Sequence, residues 1–212
     1  STLMNALVGE RISIITSKSQ TTRHRIMGIV NGEDFQIVYS DTPGALKPNY
    51  RLQESMLEAS ESAFKDADVL LYVTDTVESY DKNLDFLDKV RKMQTPIFLI
   101  INKIDLLSSQ KELEDLVDKW KTVLPSARII PICAKEKFNV ENLLTQIKEL
   151  LPESPAYFDK DALTDRPARF FVTEIIREKM LWLLDKEVPH GIAIEIEKMQ
   201  ELSDITKIYA VI

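Results

Sequence analysis

The apolar positions of this chain fall in two alternating rhythms. Short, β-branched runs at Phe35–Tyr39, Val69–Thr74, Ile97–Ile101 and Arg128–Ile132 read as strands. Between them, stretches around Leu84–Met93, Glu112–Val123 and Val140–Leu151 carry apolar residues at helical spacing. Such alternation predicts right-handed crossovers and a parallel sheet covered on both faces. One stretch departs from it. RIMGIVNGEDFQIVYSD sets Asn31-Gly32 between two strand-like runs, a hairpin signal that adds one antiparallel strand. The chain itself opens on a helix, STLMNALVGE, with Leu3, Leu7 and Val8 on one stripe and Gly9 placed to stop it.

After Leu151 the rhythm is lost. PESPAYFDKDALTDRPAR carries three prolines and little periodicity, which marks a linker. Beyond it, FFVTEIIREKMLWLL fits a helix, and IAIEIEKM and TKIYAVI fit two strands. The expected organisation is a mixed, mainly parallel α/β domain over residues 1–152, a linker over 153–168, and a smaller α+β domain over 169–212.

Composition narrows the class. With 212 residues, 44% of them hydrophobic, the chain can bury a sizeable core. Cys133 is the lone cysteine, which excludes an internal disulfide framework. No apolar run approaches the roughly 18 residues that span a bilayer, and the expected compartment is the reducing cytoplasm. A net charge of −7 argues against a protein that coats nucleic acid, though it leaves room for one local basic surface.

In an open parallel sheet, ligands bind beyond the carboxyl ends of the strands, so the turns after them matter most. In YSDTPG, Asp41 ends a strand and is followed by Thr42, Pro43 and Gly44. A carboxylate there can hold magnesium, and a glycine lets a backbone N–H approach a phosphate. Taken alone, the stretch fits a polar turn equally well. FLIINKID is sharper. It delivers Asn102, Lys103 and Asp105 to the sheet edge, where the Asp105 carboxylate can accept from both guanine donors while adenine offers it an acceptor. A buried mismatch of that kind discriminates by roughly 10⁴-fold or more. IIPICAKEKFN runs a third strand into a loop, where the Ala134 amide can meet a guanine carbonyl beside Lys135.

These turns resemble the G motifs of regulatory GTPases. In that pattern a phosphate-binding loop, G-x-x-x-x-G-K-[ST], opens a helix, and STLMNAL resembles its continuation, with Ser1 and Thr2 following the loop lysine. The implied domain is a Ras-like P-loop sheet whose first strand and phosphate loop come before Ser1, so residues 1–212 alone are expected to be inactive. SQTTRHRIMGIV, DTPG, NKID, CAK and TDRPARFFVTEIIREKML together resemble the Era family of bacterial GTPases, which join a G domain to a KH domain. The resemblance covers essentially the whole chain, and QTTRHRI and EIIREK are its most specific parts.

The resemblance implies GTP or GDP with Mg²⁺ as ligands, a potassium ion beside the phosphate loop, and a slow GTPase. Ser1, Thr22 and Asp41 would ligate the metal, with Thr21 the alternative to Thr22, and Thr22 and Gly44 would serve catalysis. Ser1, Thr2, Asp41, Thr42, Pro43, Gly44, Ala45, Asn102, Lys103, Asp105, Ala134 and Lys135 would bind nucleotide. Ala45 stands where many switch GTPases carry a water-orienting glutamine. Cys133 stands where serine is more usual. The implied partners are small-subunit ribosomal RNA and the 30S subunit, with peripheral association at the inner membrane also open and no transmembrane segment. The RNA-gripping G-x-x-G loop would follow Ile212. Residues 160–212 carry eight Lys/Arg against ten Asp/Glu, so Arg166, Arg169, Arg177 and Lys179 read as ion-paired or solvated. In the competing reading the second domain docks a protein. An ATP-dependent enzyme is disfavoured by Asp105.

Other residues read as structural. His24 and His190 form no metal cluster, and Trp120 and Trp182 read as core or domain-interface residues. The segments near Ser1 and over Ser17–Arg25 are expected to be mobile without γ-phosphate and magnesium. If Asp105 reads guanine, D105N in the whole protein shifts preference from guanine toward xanthine nucleotides; competition binding checks this, and equal affinity of the unaltered protein for ATP and GTP refutes it.

Overall fold

A computed structural model describes residues 1–16, 21–44, 56, 60, 62–78, 84–184 and 192–212. In chain order the elements are α1 (Thr2–Val8), β1 (Ile26–Asn31), β2 (Gln36–Asp41), β3 (Leu70–Asp75), α2 (Leu84–Arg91), β4 (Ile97–Asn102), α3 (Gln110–Val123), β5 (Arg128–Pro131), α4 (Val140–Lys148), α5 (Ala168–Leu183), β6 (Glu195–Glu201) and β7 (Thr206–Val211). Strands β3, β4 and β5 are parallel with β4 in the middle. That place explains why IFLIIN is an unbroken apolar run. A central parallel strand is covered on both faces, and its side chains alternate between them. Phe98 and Ile100 join Leu3, Leu7 and Leu143 in one core. Leu99 and Ile101 join Leu87, Val90 and Trp120 in the other.

The hairpin forms as expected, but not through a two-residue turn. Asn31 is still paired, opposite Gln36, and the connection is residues 32–35, closed by the Gly32 N–H donating to the Phe35 carbonyl at 2.9 Å. Gly32 takes no positive φ. It is required for space, because a Cβ there would lie 2.1 Å from the Phe35 ring. Gly9 does use its freedom: at φ 83° it ends α1, its N–H donating to the Asn5 carbonyl at 2.9 Å.

Among the described residues the β1–β2 hairpin and the three-stranded sheet share no ladder. Between β2 and β3 lies a cleft of about 1150 Å³, with Ile37, Tyr39, Leu71 and Ile14 among its walls. The buried Tyr39 hydroxyl has no hydrogen-bond partner there.

The proline-rich stretch is strapped to the hairpin. Ile29 N–H donates to the Leu163 carbonyl at 2.9 Å, and Gly28 bridges Thr164 antiparallel. The Gln36 side-chain oxygen accepts from the Tyr157 and Phe158 amides at 2.8 and 2.9 Å. The segment therefore lacks helical or strand rhythm while its backbone is held by the outer edge of β1 and by Gln36.

Helix α5 buries a charged face. Glu174, Arg177, Glu178 and Leu181 recur at helical spacing and are inside, whereas Trp182 is 67% exposed with the Lys179 ammonium 5.9 Å from its ring. The expectation that Trp182 is packed is corrected: the buried face has to satisfy backbone polar groups of residues 15 and 21, which indole cannot do. Trp120, at 2% exposure, is core as expected. Strands β6 and β7 pair antiparallel behind this helix, completing the helix–strand–strand unit. His190 and residues 17–20 lie outside the described residues.

Helix α1 presses directly on β1. A Cβ on Gly28 would meet the side-chain ends of Ile12, Met4 and Val8 at 2.6–2.7 Å. G28A is therefore expected to destabilise the fold by about 1–3 kcal/mol, read as a lower denaturation midpoint in urea.

Candidate functional site

Helix α1, the strand β2 and residue 22 meet at one corner. Ser1 caps the N-terminal end of α1, and its hydroxyl is 2.9 Å from that of Thr22. Asp41 ends β2, and its Oδ2 lies 3.5 Å from the Ser1 amino group. That same oxygen is buried and accepts no hydrogen bond among the described residues. Desolvating a carboxylate is costly unless a cation lies beside it; here the Ser1 nitrogen stands at ion-pair distance, and the oxygen keeps lone pairs free for a metal. Two hydroxyls beside it make a hard oxygen set of the sort magnesium takes together with water. The three residues expected to ligate the metal thus come together. No group of three His, Cys, Asp or Glu side chains able to hold a metal occurs among the described residues, and a set of hydroxyls and one carboxylate does not need one.

Thr42, Pro43 and Gly44 continue from Asp41 along the same cleft. The Pro43 carbonyl accepts from the Ser60 hydroxyl at 2.8 Å, which fixes the turn. Gly44 is exposed and has open space where a Cβ would be. Ala45 lies outside the described residues.

The second corner is built from the tips of β3, β4 and β5. Asn102 ends β4, and its Oδ1 accepts from the Lys103 amide at 2.8 Å and the Ala134 amide at 3.0 Å. One side chain therefore ties two loops together. The Ala134 amide, expected to stand free for a base carbonyl, is already oriented by Asn102. Lys103 is left-handed at φ 62°, which turns the chain into the short helical turn Ile104–Leu106 that carries Asp105 at the surface. Lys135 is exposed, its ammonium 3.6 Å from Glu136.

Two contributors escape a reading of the sequence. The Lys103 ammonium donates to Asp75 Oδ2 at 2.7 Å. Partial burial alone would push the Asp75 carboxyl up, but the bond from Lys103 and those from the Val77 and Glu78 amides outweigh it and hold the group below its usual range. Asp75 ends β3 opposite Asn102, so its place at the strand tip was the available signal. Cys133 is the second. Burial pushes its thiol up, and its hydrogen bond to the Asp105 carboxylate pushes further the same way. A neutral thiol so placed can donate to the Asp105 carboxylate but not compete with it for a cation.

Residues 21–25 connect the first corner to the second domain. Arg23 donates to the Ile192 carbonyl at 3.2 Å, and the Arg25 carbonyl accepts from Arg166 at 2.6 Å. His24 packs edge-on to Phe170, ring centroids 6.1 Å apart. Burial lowers its imidazole below the ordinary value; the Glu174 charge opposes this, while Arg166, Arg177 and Arg23 reinforce it. His24 is therefore neutral at pH 7.

Comparison with known proteins agrees with this layout. A family model described as a 50S ribosome-binding GTPase matches residues 1–103. The GTPase Era of Alkaliphilus metalliredigens is 43% identical over 215 residues, spanning all of this chain and 72% of that protein. The GTPase Era of Caldanaerobacter subterraneus is 40% identical, over 96% of this chain and 68% of its own. A crystal structure of Era with MgGDPNP and nucleotides 1506–1542 of 16S ribosomal RNA superposes with a TM-score of 0.91 at 34% identity, covering 96% of this chain and 69% of that one. An Aquifex aeolicus Era variant bound to GDP and AlF₄⁻ gives 0.90 at the same identity. With its metal-type corner, its Asn-Lys-x-Asp corner and full-length identity above 40%, the chain belongs to the Era family of GTPases.

Proposed function

We propose that this chain is the switch of a GTPase that binds GTP or GDP with Mg²⁺, hydrolyses GTP, and reports its nucleotide state to small-subunit ribosomal RNA. The observation that carries it is the pairing of two corners that open on one cleft: an Asp41 oxygen without a hydrogen bond among the described residues, near two hydroxyls, and an Asn102–Lys103–Asp105 turn cross-tied to its neighbours.

At the second corner, Asp105 accepts from the two guanine donors while the Cys133 thiol holds it. Lys103, pinned by Asp75, lays its stem along the base. Ala134, whose amide Asn102 already orients, shares that hydrogen with the base carbonyl, and Lys135 flanks it. At the first corner, Ser1, Thr22 and Asp41 would hold Mg²⁺, which when bound neutralises charge on the phosphates. Thr2 and Thr42 line the phosphate side, and Pro43 sets the turn that aims the Gly44 amide at the γ-phosphate. Ala45 offers no polar side chain, so orienting the attacking water falls to the backbone near Thr22 and Gly44, with a potassium ion as auxiliary.

The cleft between β2 and β3 fits a further parallel strand that leads into a phosphate-binding loop. Two strand edges facing a gap leave N–H and C=O groups without partners, which a strand between them would satisfy. Residues 1–152, 153–168 and 169–212 act as G domain, strap and KH-type scaffold. The protein works in the cytoplasm and touches the inner membrane only peripherally; no described helix is long and apolar enough to cross one.

The Era structure that superposes with a TM-score of 0.91 holds a 16S fragment, and the same RNA is the partner proposed here. Titrating the whole protein with that 3′-end oligonucleotide at two salt concentrations tests it: salt-dependent binding is expected, and no binding favours a second domain that docks protein, as the acidic excess over residues 160–212 would allow.

Two substitutions probe the nucleotide site. D75N frees an exposed lysine, so GTP and GDP affinity should both fall about two- to fivefold with base preference kept, measured by fluorescent-nucleotide titration. A45G should leave turnover within about threefold, because no side-chain hydrogen bond is lost; a near-total loss with binding intact would overturn the backbone account.

A further inference from the structure

QTTRHRI and EIIREK, the two most specific stretches of the sequence, are halves of one buried contact. Arg177 is 4% exposed. Its guanidinium makes a two-pronged pair with Glu174, Nε to Oε1 at 2.8 Å, and its remaining arm donates to the Thr21 carbonyl at 2.7 Å. One turn on, Glu178 accepts from the Ile15 amide at 3.0 Å and from Arg11. Helix α5 therefore grips the chain on both sides of residues 17–20.

The Thr21 carbonyl is not a neutral place to hold. It shares one rigid peptide plane with the nitrogen and Cα of Thr22, so holding that oxygen places the Thr22 Cα and leaves rotation about its N–Cα bond to aim the side chain. The Thr22 hydroxyl is the one that meets Ser1 at the metal-type corner. We propose that Arg177, from the second domain, is a positioning residue for the magnesium-ligating hydroxyl of Thr22; this rests on the reading of Ser1, Thr22 and Asp41 given above. Glu174 orients the guanidinium, and the planar fork can serve Glu174 and Thr21 together, which a lysine ammonium cannot do in that geometry. The metal-bound triphosphate state thus requires the second domain to be docked, and undocking costs the site a ligand.

A contact that only joins the domains would leave the metal dependence of nucleotide release untouched. The test uses the whole protein, a fluorescent non-hydrolysable GTP analogue and fluorescent GDP, and release rates in Mg²⁺ and in EDTA. R177Q is compared with E174Q/R177Q, which removes both buried charges and keeps the fold safe from a stranded carboxylate. Both variants are expected to release the GTP analogue about tenfold faster in Mg²⁺, with GDP release, and release in EDTA, within about twofold of the unaltered protein. Unchanged release by E174Q/R177Q, or equal acceleration in Mg²⁺ and EDTA, overturns the proposal. If Mg²⁺ does not slow release from the unaltered protein, the metal reading of the corner fails first and takes the proposal with it.

Discussion

A guanidinium buried to 4% exposure is the constraint on which the two halves of this molecule depend. Arg177 cannot be left dry without acceptors, because a desolvated, unpaired charge costs several kcal/mol, on the order of 3–5 when one partner is removed. Glu174 supplies two acceptors from the same helix, and the third is the carbonyl of Thr21. Helix α5 is therefore satisfied by Arg11, Ile15 and Thr21, and these three are held in turn where α5 is docked. The second domain is less an appendage than the outer wall of the switch.

The inner wall is the sheet. Parallel pairing of β3, β4 and β5 brings Asp75, Asn102 and the loop after β5 to one edge, and side chains there tie the loops to one another: Asn102 to Ala134, Lys103 to Asp75, Cys133 to Asp105. These bonds are made before any base arrives. A site preorganised in this way spends less of its binding energy on ordering loops. The metal-type corner is organised differently, since its threonine comes from a segment whose geometry is set by a neighbouring domain. The ties of the Asn102 corner are thus local to the sheet, whereas the Ser1–Thr22 corner adjoins a segment held by α5.

The readable parts of the sequence were those where one force dominates. IFLIIN could only be a doubly covered strand, and Leu3, Leu7 and Gly9 could only be a stopped amphipathic helix; both are as expected. Asp41 and Asn102 stand at strand ends as the alternation placed them, with Asp105 in the turn that follows. Asn31-Gly32 marked the hairpin but not its loop length, since the same pair serves a two-residue turn or a longer loop, and the connection here runs over residues 32–35. Helix α5 misled more. Its aromatic and aliphatic residues suggested an apolar buried face, but the surface opposite presents an amide at Ile15 and a carbonyl at Thr21, which call for polar side chains and here take Glu178 and Arg177. Nothing local to residues 168–183 encodes that partner. Asp75 was hidden for the same reason, its meaning depending on a lysine at the tip of the next strand.

If the switch segment is one joint shared by nucleotide and second domain, linkage requires that nucleotide and RNA alter each other's affinity by the same factor. The direct measurement is the affinity of the whole protein for the 16S 3′-end oligonucleotide in three states: with Mg²⁺ and a non-hydrolysable GTP analogue, with GDP, and with the analogue in the E174Q/R177Q background. The account predicts a difference of about fivefold or more between the first two and its collapse in the third. The same RNA affinity in the GTP and GDP states, or a difference that survives removal of the Glu174–Arg177 pair, would contradict it.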